Sequence, residues 1–214
     1  MRTIQILTLS LLLLGTTAVH SQGNQNEYRS IFNKKSDQKT AIGGYGSFGV
    51  GYTSIDNKDA LILNIKGALV INHSIGLGLA GYGFFNNLDK QNNNQDQYLA
   101  GGYGGFYFEP IFLSKSPVHL SFPILIGGGG VSTIPNDFWN YPGSNYPYNY
   151  DMFFVVEPGV ELEFNMVKFF RVSLGATYRF TNGVQLTYPE DGSEVAFKAL
   201  DGFNIYMNFK FGKF

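Results

Sequence analysis

Between residues 152 and 181 apolar side chains recur at every second position. Phe154, Val156, Pro158, Val160, Leu162 and Phe164 interleave with Glu157, Gly159, Glu161 and Glu163. After a short turn at 165–168, Phe170, Val172, Leu174, Ala176, Tyr178 and Phe180 interleave with Arg171, Ser173, Gly175, Thr177 and Arg179. Successive side chains of a strand point to opposite faces, so the pattern predicts two strands, each with one wholly apolar face. Acids occupy the other face of the first strand and arginines that of the second. Antiparallel pairing brings Glu161 and Glu163 within cross-strand reach of Arg171.

The same period predicts six further strands, near residues 40–55, 60–71, 75–86, 96–113, 118–132 and 201–214. In the second, Leu61, Leu63, Ile65, Leu69 and Ile71 share one face while Asn64 and Lys66 share the other. The connections alternate in length. Those at 56–59, 87–95, 133–151 and 182–200 are the longer ones, and those at 72–74, 114–117 and 165–168 are turns of three or four residues. In a closed barrel all four loops then fall at one rim and all turns at the other. A soluble sandwich also buries an apolar face, but an eight-stranded antiparallel up-and-down transmembrane barrel explains more: the apolar faces meet lipid and the charged faces meet each other. Closure also leaves no unpaired strand edge in lipid. Pro110, Pro123 and Pro158 lie inside strands, where proline removes a ladder donor, so bulges or unpaired positions are expected there.

Composition fits this reading. Charged residues make up only 14% of the 214 residues, aromatics 16%, and there are 27 glycines. No run after residue 21 approaches the ~18 apolar residues of a membrane helix. Residues 1–21 have the form of a secretory signal: Arg2, an apolar core over 4–14, and cleavage expected near Ser21. Residues 22–39 read as a polar periplasmic lead-in, and 40–214 as the barrel. The absence of cysteine excludes disulfides and a lipidated N-terminal cysteine.

Charge sorts with the layout. The loops hold ten acids against three bases, and the turn side with the lead-in holds two acids against seven bases. The inward face holds four of each sign: Glu109, Glu157, Glu161 and Glu163 against Lys66, Arg171, Arg179 and Lys210. These eight are expected to form a neutral network that largely plugs the lumen.

The segments 170–179 (FRVSLGATYR) and 209–214 (FKFGKF), with two Glu-Pro pairs at 109–110 and 157–158, carry a family resemblance. The chain resembles the small eight-stranded bacterial outer-membrane β-barrels over residues 40–214, similar to the OmpA transmembrane domain, OmpX and OmpW. That resemblance implies residence in the outer membrane of a Gram-negative cell, lipid as a partner, and folding by the barrel-assembly machinery. It implies no single activity.

Candidate chemistry is sparse. His119 and Ser121 form a His-x-Ser resembling barrel lipid-A deacylases, but alternation turns both inward, away from a lipid substrate, so polar filling of the lumen is the preferred reading. The only other mature histidine, His73, falls in a turn. The acids Glu157, Glu161 and Glu163 are read as neutralised by arginine rather than as an acid–base or metal set. The glycine run 127–130 precedes no helix and matches no phosphate loop. The best candidate for external contacts is the loop bearing Phe138, Trp139, Tyr141, Tyr146, Tyr148 and Tyr150, whose aromatics suit sugar or protein partners, although mutual packing with anchoring at the membrane interface explains them slightly better. The expected function is that of a monomeric, non-enzymatic integral outer-membrane barrel, structural or contacting an external ligand through its loops. No catalytic, metal or cofactor residues and no nucleic-acid partner are expected. A narrow solute channel, a lipid-modifying enzyme and a soluble lipocalin-like carrier are the alternatives.

Overall fold

The computed structural model describes residues 40–86, 98–134, 149–187, 192 and 194–214. The leader and lead-in, and the loop residues Phe138, Trp139, Tyr141, Tyr146 and Tyr148, lie outside them. The described chain is antiparallel β-structure: β1 (Ile42–Ile55), β2 (Lys58–Ile71), β3 (Ile75–Phe85), β4 (Tyr98–Phe112), β5 (Val118–Ser121), β6 (Ile124–Ile134), β7 (Tyr150–Val167), β8 (Phe170–Thr181) and β9 (Gly202–Lys213). Each strand pairs with its neighbour in sequence, β5 and β6 together fill one position between β4 and β7, and β9 pairs with β1 to close the ring. The result is an eight-stranded up-and-down barrel.

Alternation decides which way each side chain points. On β2, Leu61, Leu63, Ile65 and Leu69 are exposed, while Ile62, Asn64, Lys66 and Ala68 are buried. Phe106 is 77% exposed, Ile65 69% and Leu79 61%. An apolar band of this extent, continued by Phe48, Leu174 and Ile205, is what lipid covers and water does not. Aromatic pairs tie the band together across strands, including Phe170–Phe211 at 4.7 Å and Tyr178–Phe203 at 4.8 Å between centroids.

Several connections depart from the sequence expectations. The first is no loop. It is the two-residue turn Asp56-Asn57, with φ of 52° and 59°, the left-handed pair that matches the twist of a hairpin. The β7–β8 turn is Lys168-Phe169 rather than 165–168, because β7 runs on to Val167 through a register shift between Asn165 and Val167. The prolines act in three ways. The chain leaves the ladder at Phe122-Pro123, which splits the fifth barrel strand into β5 and β6, although the Pro123 carbonyl still accepts from Gly159 N at 2.8 Å. The β7–β8 pairing skips Glu157 and Pro158. Pro110 stays within β4, opposite Ile75, its carbonyl accepting from Phe122 N at 2.9 Å.

The segment after β8 is more than a solvated loop. Val184, Leu186, Val195, Ala199 and Leu200 are buried and share one apolar cluster with the inward-pointing Ile55, Ala60, Ile62, Phe84, Leu99, Val131, Phe153 and Val155. Two backbone bonds, Val184 N to Phe197 O and Val195 N to Leu186 O, both 2.9 Å, give the segment the form of a small hairpin. Gln185 N donates to Asp151 at 2.7 Å, and Asp56 N donates to Ala199 O at 2.9 Å, which ties it to β7 and to the first hairpin.

Candidate functional site: the barrel interior

All eight inward charges are buried, from 0% exposed for Glu109, Glu161, Arg179 and Lys210 to 6% for Arg171. They fall into two groups. In the group nearer the turns, the Lys210 ammonium donates to Glu109 Oε1 at 2.6 Å and to Glu163 Oε1 at 2.7 Å, and lies 2.8 Å from Glu161 Oε2. Lys66 Nζ reaches Glu161 Oε1 at 2.5 Å, and Arg171 Nη1 reaches Glu163 Oε2 at 3.3 Å. Three carboxylates therefore meet two lysines and an arginine. Alternation on β4, β7 and β9 puts Glu109, Glu161, Glu163 and Lys210 on the inner wall, and the narrow ring brings them together across it.

Each carboxylate also takes hydroxyl donors. Tyr45 and Tyr107 donate to Glu109 at 2.5 and 3.0 Å, Tyr206 and Ser173 donate to Glu161 at 2.9 and 3.0 Å, and Ser121 donates to Glu163 at 2.9 Å. Such donors replace the water a carboxylate loses on burial, without which the charge would not stay buried. The role of the tyrosines as partners of the buried charges is the part of the site that sequence reasoning missed. Tyr45, Tyr82, Tyr103, Tyr107 and Tyr206 stand on the inward positions of their strands, a parity readable from the sequence once the neighbouring apolar positions are placed outside. Tyr82 and Tyr103 stack at 5.0 Å, and the Lys66 ammonium lies 4.7 Å from the Tyr206 ring centre.

The second group lacks direct ion pairs among the described residues. Glu157 accepts from Tyr103 at 2.5 Å and from Thr177 at 2.6 Å. Arg179 was expected to meet a carboxylate. Instead its Nε donates to the Leu200 carbonyl, with Asn204 and Thr53 at 3.3 and 3.4 Å. Its guanidinium lies 5.5 Å from the Phe84 and Tyr103 ring centres. Of the two acids expected beside Arg171, Glu163 pairs with it and Glu161 does not, since the two lysines hold Glu161. The four-against-four balance stands as a count and Arg171 meets Glu163 across the β7–β8 ladder, but Glu161 is held by Lys66 and Lys210 and Arg179 meets no carboxylate, because contacts from other strands compete across the lumen.

His119 and Ser121 do not form a nucleophile–base pair. Ser121 Oγ lies 2.9 Å from Glu163 Oε1 and 3.1 Å from Glu109 Oε1, its one proton shared between them, while His119 Nε2 lies 3.0 Å from Glu163 Oε2 and its Nδ1 has no partner. Glu109, Glu161 and Glu163 form the one carboxylate group among the described residues with metal-ligand spacing, their oxygens within 4.8 Å of one another. Lys210 Nζ stands where such an ion would bind. Tyr150, the member of the aromatic loop set that falls among the described residues, begins β7 with its side chain exposed. Phe214, out of phase with the outward Phe209 and Phe211, stacks on the Arg171 guanidinium at 3.8 Å and on Tyr45 at 5.7 Å.

A closed antiparallel ring of eight strands with an apolar outside and a charged, hydrogen-bonded inside defines an outer-membrane β-barrel. The chain matches no protein-family model and no curated protein. Among solved structures it is similar to neisserial surface protein A, with 12% identity and a TM-score of 0.51 over 83% of this chain and all of that one. It is also similar to Ail of Yersinia pestis (13%, TM-score 0.47, 82% and 99% covered) and to the N-terminal barrel of Pseudomonas aeruginosa OprF (10%, 0.47, 80% and 96%). The fold is that of the eight-stranded outer-membrane β-barrels.

Proposed function

We propose that this chain is a non-enzymatic integral outer-membrane protein whose interior is closed to solutes and whose loops make its external contacts. The observation that carries the reading is the filling of the lumen. A layer of charges joined at 2.5–3.3 Å lies nearer the turns, and an apolar layer that includes the 182–200 segment lies at the loop end. Ion pairs of this kind, dehydrated and completed by hydroxyl donors, hold fixed positions and leave little room for a passing ion. Against an enzymatic role stands the Ser121 hydroxyl, which lies against Glu163 and Glu109 rather than against the His119 imidazole.

Under this reading residues 1–21 direct export and are removed near Ser21, 22–39 form a periplasmic lead-in, and the barrel-assembly machinery inserts 40–214 as a monomer. The aromatic loop from Phe138 to Tyr150 is the surface offered to an external ligand. A narrow solute channel is the competing reading. It draws on the Asn64 amide and on Ser47 Oγ and Asn208 Oδ1, buried polar atoms without a protein partner beside Gly49. Planar-bilayer recording separates the two. The reconstituted chain is expected to give no stepwise conductance, and regular unitary steps that persist in pure preparations would overturn the closed-lumen reading.

A further inference from the structure

The two rims of the barrel differ in charge and in what lies beside the charge. At the rim where β1 begins and β9 ends, the connections are 72–74, 113–117 and 168–169, and none contains Asp or Glu. Lys115 and Lys168 project from two of them and Lys213 from the end of β9, all three exposed and without an ion pair among the described residues. Among the described residues, the acids on the strands that run into these turns, Glu109 and Glu163, face inward and are engaged by Lys210 and Arg171. The opposite rim carries Asp56, Asp59, Asp151, Glu194 and Asp201 against Lys58 and Lys198 among the described residues.

Each turn-rim lysine stands beside exposed apolar groups. Leu113, 77% exposed, and Phe112 flank Lys115; Phe169, 63% exposed, with Val167 and Met166, adjoins Lys168; Phe211 precedes Lys213 by two residues. A lysine with an apolar neighbour at the edge of a lipid-facing band is placed to lay its stem along acyl chains and its ammonium among phosphates. Fixed positive charge with no acid in the turns that carry it attracts the anionic species at that depth. In a membrane that species is a phospholipid headgroup, and the flanking Leu113 and Phe169 fit a lipid better than a soluble polyanion.

The geometry points to the turn rim as a docking surface for anionic phospholipid headgroups in the leaflet it meets. This rests on the membrane reading above and extends it to the lipid class that collects around the barrel. The test is electron spin resonance on the full chain reconstituted in phosphatidylcholine vesicles, with spin-labelled phosphatidylglycerol or spin-labelled phosphatidylcholine as the probe. Motionally restricted lipid should favour the phosphatidylglycerol label about twofold or more at low salt, given the attraction of each interfacial lysine for an anionic surface. The preference should fall toward parity in 1 M salt, which screens such contacts. It should also fall toward parity in the K115Q/K168Q/K213Q variant, and partly in each single variant. The K58Q/K198Q variant, altered at the opposite rim, should keep it. Equal affinity for both labels in the unaltered chain overturns the proposal, as does a preference that survives the triple change or disappears with K58Q/K198Q. A complete lack of restricted lipid would instead show that the chain does not enter the bilayer, a failure of the membrane reading itself.

Discussion

Lys210 is the residue on which the interior depends most. Its one ammonium lies 2.6–2.8 Å from three different carboxylates, donating to Glu109 and Glu163 and forming an ion pair with Glu161. Removing one member of a buried pair leaves an uncompensated charge and costs about 3–5 kcal/mol, so Lys210→Met is expected to cost at least that much. Arg171→Met should cost less, since Arg171 has one carboxylate partner at 3.3 Å and lies against Phe214. Adding Glu163→Gln should recover part of the Arg171→Met loss, whereas adding Glu161→Gln should recover none, because Glu161 is held by Lys66 and Lys210. Double-mutant cycles in urea unfolding from lipid vesicles measure these couplings, and purely additive losses for Arg171 with Glu163 would contradict the geometry. Outward positions follow a different rule. Leu174, 47% exposed, faces lipid, and Leu174→Arg is expected to cost about 2–4 kcal/mol near mid-membrane. Inward Thr177→Arg has no comparable freedom, because Thr177 is buried and donates to Glu157 at 2.6 Å.

At the scale of elements, the strands legible in the sequence were those with clean alternation. On β8 the pattern gave the observed faces throughout, and on β2 it separated Leu61, Leu63 and Ile65 from Asn64 and Lys66 as the structure does. It was silent where both faces are apolar. Ile62, Leu99, Val131 and Val155 point inward at the loop end, but apolar neighbours on the lipid side erase the contrast that alternation relies on. The 182–200 segment hid its burial for a related reason: Val184, Leu186, Val195 and Leu200 are spaced as a small inward-packed hairpin and not as a barrel strand. Partner choice across the lumen was also unreadable, because sequence order fixes ladder neighbours and not diametric ones. The glycine-rich β6 has two faces with opposite tolerance. A Cβ on inward Gly129 would meet the Gly102 carbonyl at 2.3 Å and the Phe153 ring at 2.8 Å, while one on outward Gly130 meets nothing closer than 3.7 Å. Gly129→Ala is therefore expected to destabilise by about 1–3 kcal/mol through overpacking, and Gly130→Ala to leave the unfolding midpoint nearly unchanged. Equal effects at the two positions would show that Gly129 and Gly130 do not face opposite sides of the barrel wall as described.

For the whole molecule, the interior divides into two layers of different physics, and they should fail separately. The layer near the turns is held by charge, with Lys210 at its centre. The layer at the loop end is held by apolar packing of Val184, Leu186, Val195 and Leu200 against Ile62, Leu99, Phe153 and Val155, and is latched by the Arg179 bond to the Leu200 carbonyl. Asp201 reinforces the latch by accepting from Thr181 N and Oγ1 at 2.7 and 2.6 Å. Arg179→Ala removes one anchor and leaves the 182–200 segment attached by fewer bonds, so limited proteolysis within that segment should accelerate while heat-modifiable gel migration of the barrel persists. Replacing residues 184–198 with a short Gly-Ser link goes further and uncovers the apolar inner wall at the loop end. The charged layer below it is untouched by that change, so planar-bilayer recordings of the shortened chain should still show no unitary conductance. Conductance should appear when the shortened chain also carries Lys210→Met with Glu109→Gln and Glu163→Gln, which removes the central ammonium and two of its three carboxylate partners together. Steps already present after the loop replacement alone would mean that the charged layer does not close the barrel and that the apolar plug is its only seal.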